Sequence, residues 1–432
     1  MSLDTVDVAL PLADASRLAD LLAKFAEISE STDGVTRLAY TPLERAAHRM
    51  FTDRLSALGL RTWTDAAGNS YAERPGDAGP APAIGTGSHL DSVPRAGRFD
   101  GIAGVVAAME VARLLVEADV RHSHPIRFVA FAGEEGARFG QACTGSRIAA
   151  GLLSPSDLAA RRDVHGVSLA EAMRAVGLDP SRVEEARWRA DDWAAFVELH
   201  IEQGGVLEAQ GVPIGIVDLI SGSTRFRLDL HGRASHTGGT PMHQRADAMT
   251  AAAEITLLAE SIATDPRHHG TRATVGRLEL EPGSITTIPG EARLYVDIRD
   301  VDSDRQRSTA TELIHGARAI CERRGVSLDV ELLGDASPVV LPIWLRRRIA
   351  ETCTATGAAY RVLPSGASHD SQMINKVVPA GMIFVPSRAG LSHVPEEWTS
   401  SADLAAGTDL LARSLLALDR ELTTTSPAEG PC

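Results

Sequence analysis

Short, nearly uninterrupted apolar runs separated by helix-like patterns constrain this chain more than any other feature. Residues 84–89 (IGTGSH), 126–132 (IRFVAFA), 194–200 (AAFVELH) and 381–386 (GMIFVP) lack the strict polar–apolar alternation of a half-exposed strand. A strand with one face in water alternates, whereas a strand buried on both faces does not. Helical spacing over 14–29, 42–58 and 101–118 (GIAGVVAAMEVARLLVEA) supplies covering layers. The pattern predicts an α/β fold with a mostly parallel sheet covered on both faces.

Residues 221–334 follow a different rhythm. Residues 224–232 (TRFRLDLHG) alternate, 243–264 form an alanine-rich helical pattern, and 272–281 and 292–299 read as strands. A helix over 303–324 and a strand at 327–333 (SLDVELL) complete β-α-β-β-α-β, the ferredoxin-like split motif. At 432 residues the chain exceeds one ordinary core. The expected division is therefore a first domain, 1–220 and 335–432, with an α+β domain inserted at 221–334. The tail after Arg420 (ELTTTSPAEGPC) is expected to be disordered.

Charge and composition remove several classes of function. The formal net charge of −14, with no basic stripe, argues against a nucleic-acid partner. No apolar run reaches the ~18 residues of a membrane span, and no basic segment followed by an apolar core opens the chain. Cys143, Cys321, Cys353 and Cys432 form no CxxC pair, so reduced thiols in a cytoplasmic protein are expected.

The polar clusters fall where the apolar runs end. His89, Glu134-Glu135 and His200 close predicted strands, His393 follows one, and Asp100 closes the loop fed by the first. In open α/β sheets the ligand crevice lies beyond the carboxyl ends of the strands, so these separated residues converge on one rim. Imidazoles and carboxylates suit two divalent metals, zinc first, with manganese, cobalt or nickel as alternatives. His89 and a second histidine can serve as terminal nitrogens, Asp100 as the bridge and one glutamate as a terminal oxygen. The other glutamate is left to accept a proton, and Asp91, two residues beyond His89, can orient its imidazole.

Each cluster has a plainer reading. An isolated H-x-D is a solvated loop or a capping pair, and a glutamate pair is an exposed helix start. His122, His124, His165, His268, His269 and His315 lie in polar contexts and are expected at the surface. Glycines 85, 87, 101 and 104 do not fit G-x-G-x-x-G, and no P-loop lysine follows. Convergence on one rim is what favours the metal reading.

The stretches GSHLDSVPRAGRFDG, AFAGEEGARFG, ELHIEQG, ASHTGGTPMHQRADAM, SGASHDSQ and FVPSRAGLSHVPEEW occur in that order. Together they resemble the hydantoinase/carbamoylase branch of the M20 metallopeptidase clan, over residues 14–418. The resemblance implies a metallohydrolase catalytic domain with an inserted lid and dimerisation domain. It implies two divalent ions on His89, Asp100, Glu135, His200 and His393, with Asp100 bridging and Asp91 supporting His89. Glu134 becomes the general base, taking a proton from the attacking water and delivering it to the leaving nitrogen, and His236 steadies the oxyanion. Gln203, Arg299, His369 and Gly366 would bind substrate, with Arg299 suited to a carboxylate. From the residues alone, Arg299 reads as a surface ion pair with Asp297 or Asp300.

Three positions depart from the family pattern. Thr286 of TTIPG stands where a substrate-binding asparagine is usual, Ser368 replaces the glycine before His369, and HTGGTPM lacks the usual threonine of HAGTTPM. A hydroxyl replaces one amide hydrogen bond but not a donor–acceptor pair. The expected activity is cleavage of the carbamoyl C–N bond of N-carbamoyl-L-amino acids by a cytoplasmic homodimer acting on a small ureido carboxylate. Allantoate or another ureido acid is the alternative, followed by peptidase or N-acyl-amino-acid hydrolase activity. A non-enzymatic ligand-binding module is disfavoured by the intact ligand set together with Glu134.

Overall fold

The computed structural model describes residues 10–424. They form two compact units, one from the residues up to Asp218 together with those from Val340 onward, the other from Leu219–Val339.

The first unit holds a nine-stranded sheet. At its centre Ile126–Phe131, Ala83–His89, Trp193–Ile201 and Ala380–Val385 lie side by side in that order, all parallel. Ser70–Arg74 and Arg61–Thr64 extend one side antiparallel. On the other side Ile214–Ile220 pairs antiparallel with Ala380–Val385, and Val339–Val340 and Tyr360–Ser365 both pair with Ile214–Ile220. The sheet is thus parallel in the middle, and the strand next to the parallel set on each side, Ser70–Arg74 and Ile214–Ile220, pairs antiparallel with it.

The apolar runs are continuous because neighbouring residues enter different cores. Ile126, Phe128 and Ala130 join the core that includes helices Ala15–Ala26, Ile102–Glu117 and Ser401–Thr424. Val129 and Phe131 join Trp188, Trp193 and Phe196 on the opposite face. Helix Ile102–Glu117 is buried over most of its circumference, and its Glu110 is paired with Arg113. A Phe128→Ala change in such a core costs about 3–5 kcal/mol.

The second unit has two layers. Ser327–Ala336, Gly222–His231, Glu291–Asp300 and Arg272–Glu281 form an antiparallel sheet in that order. Helices Ala248–Thr264 and Ser303–Arg324 connect them as β-α-β-β-α-β. Phe226, Leu228, Leu230, Leu294, Val296 and Ile298 share the buried core with the helices, while Arg227, Asp229, Arg293 and Arg299 alternate with them on the other face. The first helix starts later than its alanine-rich pattern because the Asp247 side chain caps Ala248–Thr264 and Met242–Gln244 is a separate turn.

Three expectations are corrected. His122 and His268 are buried rather than exposed, because tertiary packing covers them whatever the polarity of their chain neighbours. His268 lies between Glu312 and Thr309 (3.0 and 2.7 Å), and His122 Nδ1 is 2.7 Å from the His124 carbonyl oxygen. Helix Ser401–Thr424 takes in the first residues of the expected disordered tail, since its leucines continue the core stripe; residues 425–432, with Cys432, lie outside the described residues. Cys143, Cys321 and Cys353 are buried free thiols. Among the described residues no helix is long and apolar enough to cross a membrane.

Candidate metal centre

Because the four central strands are parallel, their carboxyl ends share one rim. His89 ends its strand in register with Phe131, and the Gly133-Glu134-Glu135 turn follows that neighbour. His200, in register with Phe384, is the penultimate residue of its own strand. His393 sits on the loop after Ala380–Val385, and Asp100 directly precedes Gly101, the N-cap of Ile102–Glu117.

These side chains form two triads that share Asp100. His89 Nε2 and His200 Nε2 lie 3.5 and 3.2 Å from Asp100 Oδ1. His393 Nε2 lies 3.3 Å from Asp100 Oδ2 and 3.2 Å from Glu135 Oε1. In each triad one ligand atom per residue falls within 4.8 Å of the others. Gly101 makes the approach possible: at φ +70° it adopts the left-handed region, and a Cβ there would lie 2.3 Å from the His89 ring.

Backbone contacts fix which nitrogens face the cluster. His200 Nδ1 is 2.8 Å from the Ile201 carbonyl oxygen and His89 Nδ1 is 3.2 Å from that of Asp91. An Nδ1–H donating to each carbonyl makes Nε2 the acceptor nitrogen, which in His200 faces the Gly101 N–H at 3.2 Å and is the lone pair a metal would use. Asp91 has a further task that its spacing did not reveal. Its Oδ1 and Oδ2 accept the backbone N–H groups of Glu134 and Glu135, both at 2.9 Å, and so hold the turn that presents the glutamates.

The electrostatics call for a cation. Burial works against a charged His89, but hydrogen bonding to Asp100 and Asp91 and the charge of Glu134 hold its pKa well above the usual range. His393 is likewise opposed by burial and raised to about 11 by Glu135 and Asp100. Burial pushes Asp100 up, but hydrogen bonds with His200, His393 and His89 win and hold it well below the carboxylate range. Burial raises Glu134 to about 7, His89 opposing and Glu135 adding to the shift. Several buried carboxylates facing three imidazoles need positive charge, from protons or from metal ions. Gln203 Oε1 is also buried without a hydrogen-bond partner. The donor set, hard oxygens mixed with imidazole nitrogens, fits divalent zinc, manganese, cobalt or nickel.

The remaining sequence candidates are distributed over both units. Gln203, at φ +55°, donates from Nε2 to Asp100 Oδ2 at 2.5 Å. His369 packs its ring against that of His200 at 4.5 Å, with its Nε2 2.8 Å from Ser365 Oγ. Gly366 lies in the loop between strand Tyr360–Ser365 and helix Asp370–Ile374. In the second unit His236 pairs with Thr287, beside Thr286, and its Nδ1 accepts the N–H groups of Gly238 and Gly239, both at 3.0 Å. Arg299 Nε donates to Asp297 Oδ2 at 3.0 Å, the ion pair weighed from the sequence.

Two contacts were missed by motif reading. Cys143 Sγ donates to Glu134 Oε1 at 3.0 Å, so Oε2 is the oxygen toward His89 Nε2, at 3.9 Å. Buried Glu44 accepts the Gly133 and Tyr40 N–H groups, at 2.8 and 2.7 Å. Neither Cys143 nor Glu44 lies in a metal-ligand spacing, so only the fold reveals them.

Comparison with known proteins agrees with this architecture. The model of peptidase family M20/M25/M40 matches residues 85–417, and the chain belongs to that family of metal-dependent hydrolases. Within it, the chain falls in the hydantoinase/carbamoylase branch. It is 40% identical over 415 residues to an N-carbamoyl-L-amino-acid amidohydrolase of Paenarthrobacter aurescens, covering 95% of this chain and 100% of that one. It is 36% identical to the allantoate amidohydrolase of Escherichia coli K12, over 90% and 94% of the two chains. A crystal structure of a hydantoinase/carbamoylase family amidase from Burkholderia vietnamiensis superposes with a TM-score of 0.89 at 32% identity, covering 95% of this chain and 98% of that one.

Proposed function

We propose that this hydrolase cleaves the carbamoyl C–N bond of an N-carbamoyl-L-amino acid, giving amino acid, carbon dioxide and ammonia. The observation that carries the reading is the pair of triads sharing Asp100, with Glu134 beside them on the sheet rim. Two divalent ions would be held, one by His89, Asp100 and His200, the other by Asp100, Glu135 and His393. Bound there, such ions supply Lewis acidity for a carbonyl oxygen and ease the ionisation of water.

The chain's own residues do the rest. Glu134, anchored at Oε1 by Cys143, takes the proton of the attacking water on Oε2 and hands it to the leaving nitrogen. His236 accepts two backbone N–H groups on Nδ1, so in the neutral ring Nε2 carries the hydrogen, the donor an oxyanion needs. Gln203 offers its unpaired Oε1 to a ureido N–H. Arg299 binds the substrate carboxylate, since a planar guanidinium fork matches a carboxylate with two charge-assisted hydrogen bonds. His369, Gly366 and Thr286 complete the substrate pocket. The inserted domain, 221–334, acts as a lid and joins two chains in a homodimer, and three buried free thiols suit the reducing cytoplasm.

The E. coli relative's name gives allantoate as the second reading. Ammonia release from N-carbamoyl-L-amino acids, allantoate and N-acetyl-amino acids tests both, with free amino acid measured for the last group. Each reaction is run on metal-stripped protein and after adding Zn2+, Mn2+, Co2+ or Ni2+. Metal-restored ammonia from one ureido substrate fixes the branch; silence on all ureido compounds overturns the proposal. Mixing His236→Ala with Glu134→Gln protein tests whether His236 serves the partner's site in the dimer, because recovered activity requires that one chain complete the other's site.

A further inference from the structure

Of the carboxylates on the rim, Glu397 belongs to neither triad, yet it is almost wholly buried. Its Oε1 accepts the backbone N–H groups of Phe99 and Asp100, at 2.8 and 3.0 Å. Its Oε2 lies 2.8 Å from Ser392 Oγ, which also lies 2.6 Å from Asp100 Oδ2. Glu397 therefore ties the loop carrying Asp100 to the loop carrying His393, residues almost 300 positions apart.

The surroundings are shaped to this contact. A Cβ at Gly97 would lie 2.3 Å from both Glu397 Cβ and Oε1, so only glycine lets the loops meet. Next to it Phe99 and Trp398 pack edge to face at 5.4 Å. Ser392 has one hydroxyl hydrogen and two carboxylate acceptors, so it satisfies Asp100 or Glu397 but not both at once. A cation held at Asp100 Oδ2 would leave that hydrogen to Glu397 Oε2.

We propose that Glu397 is a positioning residue: it fastens the two loops and so sets the distance between Asp100 and His393 in the second triad. The role rests on the two-ion reading above. The first triad shares Asp100, but its two histidines, His89 and His200, are held by their own strands, so the second triad depends on Glu397 more heavily.

The test is metal binding by stripped wild-type, E397A and E397Q protein, titrated with Zn2+ against a competing chelator, with the melting temperature of each stripped protein recorded. Wild type binds two ions per chain. E397A keeps one binding step unchanged and weakens the other by about 10–100-fold, while its stripped protein melts close to wild type. E397Q keeps both steps near wild type, since its amide oxygen still accepts the Phe99 and Asp100 N–H groups. An E397A protein that binds both ions normally overturns the role. So does one in which both steps weaken together with a fall in melting temperature, which marks a general loss of packing. A wild type that binds a single ion overturns the two-ion reading itself, and this role with it.

Discussion

The triad of His89, Asp100 and His200 is buried throughout, whereas the triad of Asp100, Glu135 and His393 ends on a side chain 44% exposed to solvent. His89 and His200 stand on adjacent strands of a sheet core, with Nδ1 engaged by backbone carbonyls. His393 stands on a loop, with its own backbone at φ +62°. The difference teaches that two chemically similar candidate triads are built on different supports, one on sheet strands and the other on a loop.

The largest predicted effect concerns the residue that serves both triads without belonging to either. Glu134→Gln keeps the fold and the bound ions but lowers kcat by about 10²–10⁴-fold, because only proton transfer is removed; ion content and steady-state rates measure it. Loss of the ions in that variant would make Glu134 a ligand and erase the distinction.

The comparison is tested directly by the rate at which ions leave. In excess chelator the wild type is expected to release metal in two resolved phases, the exposed triad emptying first. His393→Ala should abolish the fast phase and spare the slow one, and His200→Ala the reverse. A single phase in wild type would mean that exposure does not govern release.

A smaller effect comes from setting two buried imidazoles side by side. His89 is surrounded by carboxylates, but His48, equally buried, is depressed well below its usual range by burial and by the nearby Arg45 and Arg37 charges. His48 stays neutral in the fold while the unfolded chain protonates near pH 6.5, so stability is full above that pH and falls below it. The slope is about 1.4 kcal/mol per pH unit. His48→Gln should narrow the gap in melting temperature between pH 7.5 and 5.5 by roughly 1–2 °C. An unchanged gap would show that the imidazole is protonated in place.

The strands and the convergence of the triad residues were legible in the sequence because the polar candidates fall at the ends of apolar runs or in the loops that follow them. Helix Ile102–Glu117 and strands Ile126–Phe131 and Trp193–Ile201 fall within about a residue of their apolar patterns. What holds those residues in place was not legible. Asp91 reads as a partner for His89, and its Oδ1 does lie 3.5 Å from His89 Nδ1, but its hold on the backbone of Glu134 and Glu135 was not readable from spacing. Glu44, Cys143 and Glu397 act across the fold on segments that no spacing rule joins to theirs. His122 and His268 mislead for the same reason, since their burial is decided by tertiary packing rather than by their polar neighbours in the chain.

The strand Ala380–Val385 lies between Trp193–Ile201 and Ile214–Ile220, although it is made long after both. During synthesis the ribosome delivers an entire second unit before the missing middle of the first sheet arrives. Until then Trp193–Ile201 presents an open apolar edge, the kind of surface on which nascent chains aggregate. A chain cut short before residue 380 is therefore not a smaller enzyme but a sheet with its interior missing, and His393 can join the centre only after that gap is closed.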